Sequence, residues 1–525
     1  MSLIGEKFRK KINGIIALLI IAVLGFVFQY KYFQEFPSFI HAWAQADRYA
    51  IALGFLDNNF QLFKPQTFIM NHPFPNNWEV PSKHSITAVD FPIHEYLISI
   101  MMKISDLKGV WVFRLYNLFY SFAGLFFLFK ISRLLTGDNY KSFLTLILAS
   151  TSPVFVYYQG SLLPTIPSLT NVIIGIYFYF IHLKIENNKH FHLGILFLTL
   201  ATLSRTTFAI PLIAVFSLEF LRIFEKGHFI KLKLLSIISS VTIIVLYYFY
   251  NKMLTEKYGS IFLNHLMLPA NFKEAKEILK EVYNNWHNQY FSKIHYYIFI
   301  ISFLISFFFL IKRVPTDKFQ KQTGLLVFFI FSGYILFAIL MLGQFTHHDY
   351  YFLDTFFFPV ILFFILSLSL IPKGNFKFYR KLCFISLVST GIALAINAFN
   401  FQQSRRVILP GDLQYAKIKN FTNSEAFLDS LKVDKKAKIL VIDQFSPNIP
   451  FIFMNRKGYT TIILERDHIE NLLSWDYNYV VMQNELFVSE IYPLFPDILL
   501  RIEKIADNGK ISVYKRLIQS SLRLH

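Results

Sequence analysis

The sequence is short of cysteine, of acid and of charge in general. Cys383 is the one cysteine among 525 residues, so no disulfide can form within the chain and the redox compartment is unreadable from it. Its place in an apolar run suits packing. Charged residues make up 16% of the chain, against about a quarter in soluble domains, which excludes an ordinary soluble enzyme. Acids are the scarcer sign, with 33 Asp and Glu against 52 Lys and Arg and a net charge of +19. The basic surplus falls in short loops between apolar runs, so membrane orientation explains it and a nucleic-acid partner is not implied. No glycine-rich phosphate loop follows any strand-like run. No internal repeat is visible, which counts against a transporter built from inverted halves.

What the chain does have is apolar and aromatic: 54% hydrophobic residues, 62 Phe and 29 Tyr. The basic start MSLIGEKFRKK and the run 12–28 resemble a signal sequence, but QYKYF follows with no small-residue cleavage pattern. This run is read as an uncleaved first span. A helical span takes about 20 apolar residues. Eleven runs qualify: 12–30, 111–130, 141–158, 164–183, 191–204, 206–222, 234–250, 295–311, 323–342, 351–371 and 382–400. The segment 91–105, FPIHEYLISIMMKIS, is apolar but short and reads as a re-entrant or interfacial helix.

A cytoplasmic N-terminus puts the clusters Lys7/Arg9/Lys10/Lys11, Lys130/Arg133/Lys141, Lys184/Lys189, Arg222/Lys226/Lys231/Lys233, Lys312/Arg313/Lys318/Lys321 and Lys373/Lys377/Arg380/Lys381 inside. The expected fold is therefore a polytopic all-α membrane protein with about eleven spans and a small C-terminal extracytoplasmic α/β domain. The organisation expected is a membrane domain over 1–400, with extracytoplasmic loops 31–110 and 251–294, and a tail domain over 401–525. In the second loop, Phe272, Ala275, Ile278, Leu279, Val282, Tyr283 and Trp286 follow helical spacing, which predicts an amphipathic helix. In the tail, KAKILVID, GYTTIIL and YNYVVMQ read as strands, ERDHIENLLSW as a helix, and LLRIEKIADNGKISVYKRL as a hairpin turning at Asp507-Asn508-Gly509.

Orientation then gathers five polar segments at one membrane face. HAWAQADRYAIALGF supplies His41, Gln45, Asp47, Arg48 and Tyr49; AVDFPIHEYL supplies Asp90, His94 and Glu95. YYQGSLLPTIPS supplies Tyr157, Gln159, Ser161 and Pro164; TLSRTT supplies Arg205; GQFTHHDYYF supplies His347, His348, Asp349, Tyr350 and Tyr351. Ionisable groups beside a membrane are costly and are often kept for function. Each also has a plainer reading. Asp90 before Phe-Pro is a good N-cap for the 91–105 helix, and His94 and Glu95 can snorkel to the interface. Asp47 and Arg48 are sequence neighbours and do not share a helix face. His347, His348 and Asp349 resemble metal ligands, but adjacent histidines point apart and a third distant ligand is lacking. Arg205 suits a phosphate or a lipid headgroup. The set fits transfer of a group from a lipid-borne phosphate. The phosphate leaving group needs Arg, Lys or a metal against its developing charge, and the acceptor hydroxyl needs a carboxylate base.

Over residues 10–370 the chain resembles the integral-membrane GT-C glycosyltransferases of the protein mannosyltransferase and aminoarabinose-transferase type. The resemblance rests on WAQADRYAIA, DFPIHEYLISIMMK, VFRLYNLFYSFAGLFFLFKISRLLTG, LASTSPVFVYYQGSLLPTIPSL, ATLSRTTFAIPL and HHDYYFLDTFFFP in that order. It implies a polyprenyl-phosphate-sugar donor, an active site on the extracytoplasmic face of the cytoplasmic (inner) membrane, and a surface glycan, lipid A-type lipid or protein as acceptor. Aligned on Arg48-Tyr49-Ala50, Gln45 stands where the family has its catalytic Asp, and Asp47 is displaced by two residues. The family's Lys-Pro-Pro reads Asp90-Phe91-Pro92, its Leu-Pro-Asp reads Leu163-Pro164-Thr165, and its Leu-Thr-Lys-Gly lysine reads Arg205.

The expectation is a hexosyl or pentosyl transferase with Asp47 as general base. Arg205, Arg48 and His348 are expected at the donor phosphate. Gln45, Tyr49, Asp90, His94, Glu95, Gln159, His347, Asp349 and Tyr350 are the further site residues. No cofactor is assigned with certainty, and dependence on a divalent metal is open. The alternatives are a transporter or lipid flippase, and a GT-C-like scaffold without catalysis.

Overall fold

The computed structural model describes residues 3–37, 40–226, 231–262, 266–312, 317–372, 377–409 and 411–517. Parts of the expected cytoplasmic clusters, such as Arg313 and Lys373, lie outside the described residues.

In chain order the helices are α1 Leu3–Gln29, α2 Ala42–Asp57, α3 Ile93–Ser105, α4 Val110–Thr136, α5 Asn139–Ser150, α6 Pro153–Tyr158, α7 Thr165–Ile185, α8 Asn188–Ser204 and α9 Ala209–Lys226. Then come α10 Lys231–Tyr258, α11 Phe272–Tyr290, α12 Lys293–Lys312, α13 Lys318–Leu340, α14 Gln344–His347, α15 Tyr351–Asp354, α16 Phe357–Leu370 and α17 Lys377–Ser404. The C-terminal part holds α18 Leu413–Phe421, α19 Ser424–Ser430, β1 Ile439–Ile442, α20 Asn448–Met454, β2 Gly458–Thr461, α21 Arg466–Leu473, β3 Tyr479–Gln483, β4 Ile502–Asp507 and β5 Ile511–Arg516. The chain is thus a polytopic helical membrane protein with a small C-terminal sheet.

Among the described residues, eight helical stretches are long and apolar enough to cross a membrane; they centre on α1, α4, α7, α9, α10, α12, α13 and α17. The other three expected spans fall on shorter helices, for local reasons. The run 141–158 breaks at Thr151–Ser152, because Pro153 opens α6 and cannot continue the ladder of α5. The run 351–371 breaks at Thr355 (φ −129°, ψ −83°), leaving the short apolar α16. The run 191–204 is α8, a helix of 17 residues.

The chain folds as two compact units built from interleaved segments. The first comprises 1–33, 113–247 and 265–405; the second comprises 34–112, 248–264 and 406–525. In the first unit α7 and α8 form an antiparallel pair that meets through glycine. A Cβ on Gly194 would lie 3.1 Å from the Gly175 carbonyl, so neither position admits a larger side chain without displacement. The amphipathic helix expected in 251–294 is α11, none of whose residues is buried.

In the second unit the sheet order is β2-β1-β3-β5-β4. β1 pairs in parallel with β2 and β3; β5 pairs antiparallel with β3 and β4. All the expected tail strands are present, and the β4–β5 hairpin turns at Asp507-Asn508-Gly509 with Gly509 at φ +85°. Gly458 sits at a close approach: Met70 N–H donates to its carbonyl at 2.7 Å, and its own N–H donates to Phe68 at 3.1 Å. The first loop therefore runs along the β2 edge. Ala50 of α2, Phe68, Ile69 and Trp78 share one apolar core with Val441, Phe451, Met454 and Val481. Burial of that core fixes α2 against α20 and sets the position of Asp47.

Candidate functional site

Two polar clusters hold the expected site residues, one in each unit. In the second unit, α2 and α3 pack so that successive residues of α2 face different neighbours, as a 100° step between helix positions requires. Arg48 turns to α3. Its Nη1 donates to Glu95 Oε1 at 3.0 Å, Nη2 lies 3.8 Å from Asp90 Oδ2, and its guanidinium stacks 4.2 Å from the Phe262 ring centroid. Asp47 turns to α20, where Asn448 Nδ2 donates to its Oδ1 at 2.8 Å, and the side chain of Trp43, one turn earlier in α2, donates as well.

Burial distinguishes the three acids. Asp47 and Glu95 are 2% and 1% exposed, whereas the Asp90 side chain is 26% exposed. Desolvation pushes the Asp47 carboxyl up from its ordinary value to about 7, against the pull of Asn448, Arg48 and Trp43. Desolvation also raises Glu95, with Arg48 opposing. His94 is held neutral: burial and the Arg48 charge lower it to about 3. Gln45 is buried and its Nε2 donates to the Ile40 carbonyl at 3.3 Å. The Tyr49 hydroxyl donates to the Lys108 carbonyl.

Two expectations are corrected here. Asp90 does not cap α3; the N-cap is Pro92, with no side-chain cap, and Asp90 belongs to the Arg48 charge cluster. His94 and Glu95 do not snorkel to an interface, being buried. Arg48 lies within 4 Å of two carboxylates, those of Glu95 and Asp90.

In the first unit, Asp349 is the centre. Tyr158 donates its hydroxyl to Oδ1 at 2.5 Å, and Arg405 Nη2 donates to Oδ2 at 2.6 Å, with the Arg405 guanidinium 4.2 Å from the Tyr157 ring centroid. Arg205 pairs with Asp354 and sits over the Tyr350 ring. His348 Nδ1 lies 3.2 Å from the Gln344 carbonyl, and His347 is exposed. His347, His348 and Asp349 do not converge, and among the described residues no three His, Cys, Asp or Glu side chains gather as a metal site. Gln159 is buried in the segment that Arg114 and Asn117 hold by its carbonyls at Gly160, Ser161 and Leu163.

Sequence reasoning missed Asp354, Arg405 and Asn448. Asp354 lies inside the apolar run YYFLDTFFFP, and an acid at that place is itself a signal. Arg405 follows the last span and read as the start of the tail. Asn448 carries no sequence signal, because its partner stands 401 positions earlier.

No curated protein matches the chain. The family described as dolichyl-phosphate-mannose-protein mannosyltransferase matches residues 84–250. Two solved structures of ArnT from Cupriavidus metallidurans, one bound to undecaprenyl phosphate and one in the apo state, resemble the chain with TM-scores of 0.57. Each is 10% identical over 96% of this chain, and over 98% and 97% of its own length respectively. At that identity the likeness is one of fold, and the family match covers less than half of the chain.

Proposed function

We propose that the chain transfers a glycosyl group from a polyprenyl-phosphate-linked donor to a hydroxyl acceptor at the extracytoplasmic face of the cytoplasmic membrane. The observation that carries the reading is the buried Asp47 carboxyl with its pKa brought to about 7. A general base works best when its pKa lies near the operating pH. Two donors occupy Asp47, and a carboxylate has about four lone-pair sites, so it can still accept the acceptor's proton. In the step proposed, Asp47 takes the hydroxyl proton as the acceptor oxygen attacks the anomeric carbon. The bond from that carbon to the phosphate oxygen breaks, and polyprenyl phosphate leaves with the electron pair. The phosphate leaving group calls for a cationic side chain, since a guanidinium or ammonium stabilises developing negative charge. The Arg48–Glu95–Asp90 cluster fixes the electrostatic surroundings of Asp47.

The test uses full-length protein in lipid nanodiscs. Undecaprenyl-phosphate-linked glucose, mannose, galactose and aminoarabinose are supplied with envelope glycan and lipid fractions, and release of undecaprenyl phosphate is measured. Transfer is expected with at least one donor, rising with pH through about 7. Asp47→Asn is expected to lower kcat about 100-fold or more. Full activity of a folded Asp47→Asn protein would sink the base assignment, and loss confined to Asp90→Asn would move it to Asp90. Donor movement across the bilayer without transfer would favour a flippase, and neither activity would favour a scaffold.

A further inference from the structure

Asp47 is met by a residue from the far end of the sequence. Asn448 opens α20 and is fully buried. Its Oδ1 accepts the Phe68 N–H at 3.3 Å while its Nδ2 donates to Asp47 at 2.8 Å. The two partners fix the amide's orientation, since a flipped amide would set donor against donor and oxygen against carboxylate.

The turn that delivers Asn448 is held under tension. Phe445 and Ser446 have φ of 51° and 39°, a costly conformation for residues other than glycine. The buried Lys417 of α18 clamps this turn, donating to the carbonyls of Gln444 and Phe445 and lying 3.2 Å from Asp443 Oδ2. Gln483, at the end of β3, donates to Asp443 Oδ1 at 2.7 Å. The sheet thus fixes the turn, and the turn fixes Asn448.

We infer that Asn448 is a positioning residue for Asp47, so that the C-terminal α/β domain orients the base and sets its proton affinity. This rests on the reading of Asp47 as the base. The charged groups around Asp47 support it. On its own helix the neighbour is Arg48, which is shared with Glu95 and Asp90 and faced by the neutral His94. From α20, whose sequence is NIPFIFM, no ionisable side chain arrives. Asn448 is the donor contributed from that side, and its bond favours the carboxylate form over the acid.

The experiment is an infrared pH titration of the full chain in nanodiscs, with the Asp47 carboxyl band identified by its absence in Asp47→Asn. The wild-type midpoint is expected at about 7. Asn448→Leu should raise it by about one pH unit or more, the worth of a hydrogen bond to a charged group. Asn448→Ser keeps a donor and should lie between the two. Lys417→Met should shift the midpoint in the same direction through the loosened turn. The acidic limb of the transfer rate should move with the midpoint. An unchanged midpoint in a folded Asn448→Leu protein, with Lys417→Met also unchanged, overturns the inference. Full activity of Asp47→Asn overturns the base reading separately, whatever the infrared midpoints show.

Discussion

Asp47 carries a thermodynamic signature that a surface acid would not. Its folded-state pKa is about 7 against an ordinary value of 3.8. A carboxyl raised on folding binds its proton more tightly in the folded state, so its contribution to stability falls as pH rises. The fall begins near the unfolded pKa and is complete above about 7. Asp47→Asn removes the titration while keeping an oxygen for Asn448. The variant is therefore expected to melt several degrees above wild type at pH 8, and the gap is expected to shrink as pH is lowered from 7 towards 4. Thermal unfolding in detergent at stepped pH measures this. An equal melting temperature at pH 8 would show that burial costs the carboxylate little. Paired with the kinetic test, the result separates a residue retained for chemistry from one retained for packing, because functional sites often give up stability.

Between elements, the Arg205–Asp354 pair ties the end of α8 to the end of α15. Asp354 is fully buried, so Arg205→Met leaves a desolvated charge without its main partner. Breaking such a pair costs about 3–5 kcal/mol, while replacing both members by apolar side chains is often nearly neutral. The expected outcome is a strong loss of stability in Arg205→Met that the double variant Arg205→Met/Asp354→Leu largely restores, read from denaturant unfolding. What the sequence made legible follows the same local logic. The tail strands showed themselves by apolar runs between turn residues, and their hairpin by Asp-Asn-Gly. α3 showed itself as a short apolar run, and α11 by helical spacing. The breaks at Thr151–Ser152 and Thr355 did not show, since hydropathy averages over a window and ignores one proline or one backbone angle. The residues Gln45, Asp47, Arg48, Asp90, His94 and Glu95 were found as a group because they crowd two short segments. Their partition was not, because whether Asp47 faces α3 or α20 depends on packing across hundreds of residues.

For the whole molecule, the basic clusters predict an orientation that labelling can check. Replacing Cys383, the one native cysteine, by Ser leaves a background for single reporters. Cysteines at the exposed positions Lys321 and Lys435 should be labelled from opposite sides of the membrane by an impermeant maleimide, Lys321 from the cytoplasm and Lys435 from outside. Labelling of both from one side would overturn the odd span number and with it the extracytoplasmic placement of the tail.

The interleaving of segments also sets an order in time. Asp47 leaves the ribosome early, and 401 residues separate it from Asn448. At a synthesis rate of about 5–20 residues per second, its partner emerges roughly 20–80 s later. Until then the first loop has no β2 edge to run along and Asp47 no amide to hold it. A chain interrupted before the tail would place every span in the membrane and still lack a fixed carboxylate. Completion of translation is then the event that gives Asp47 its hydrogen-bond partner.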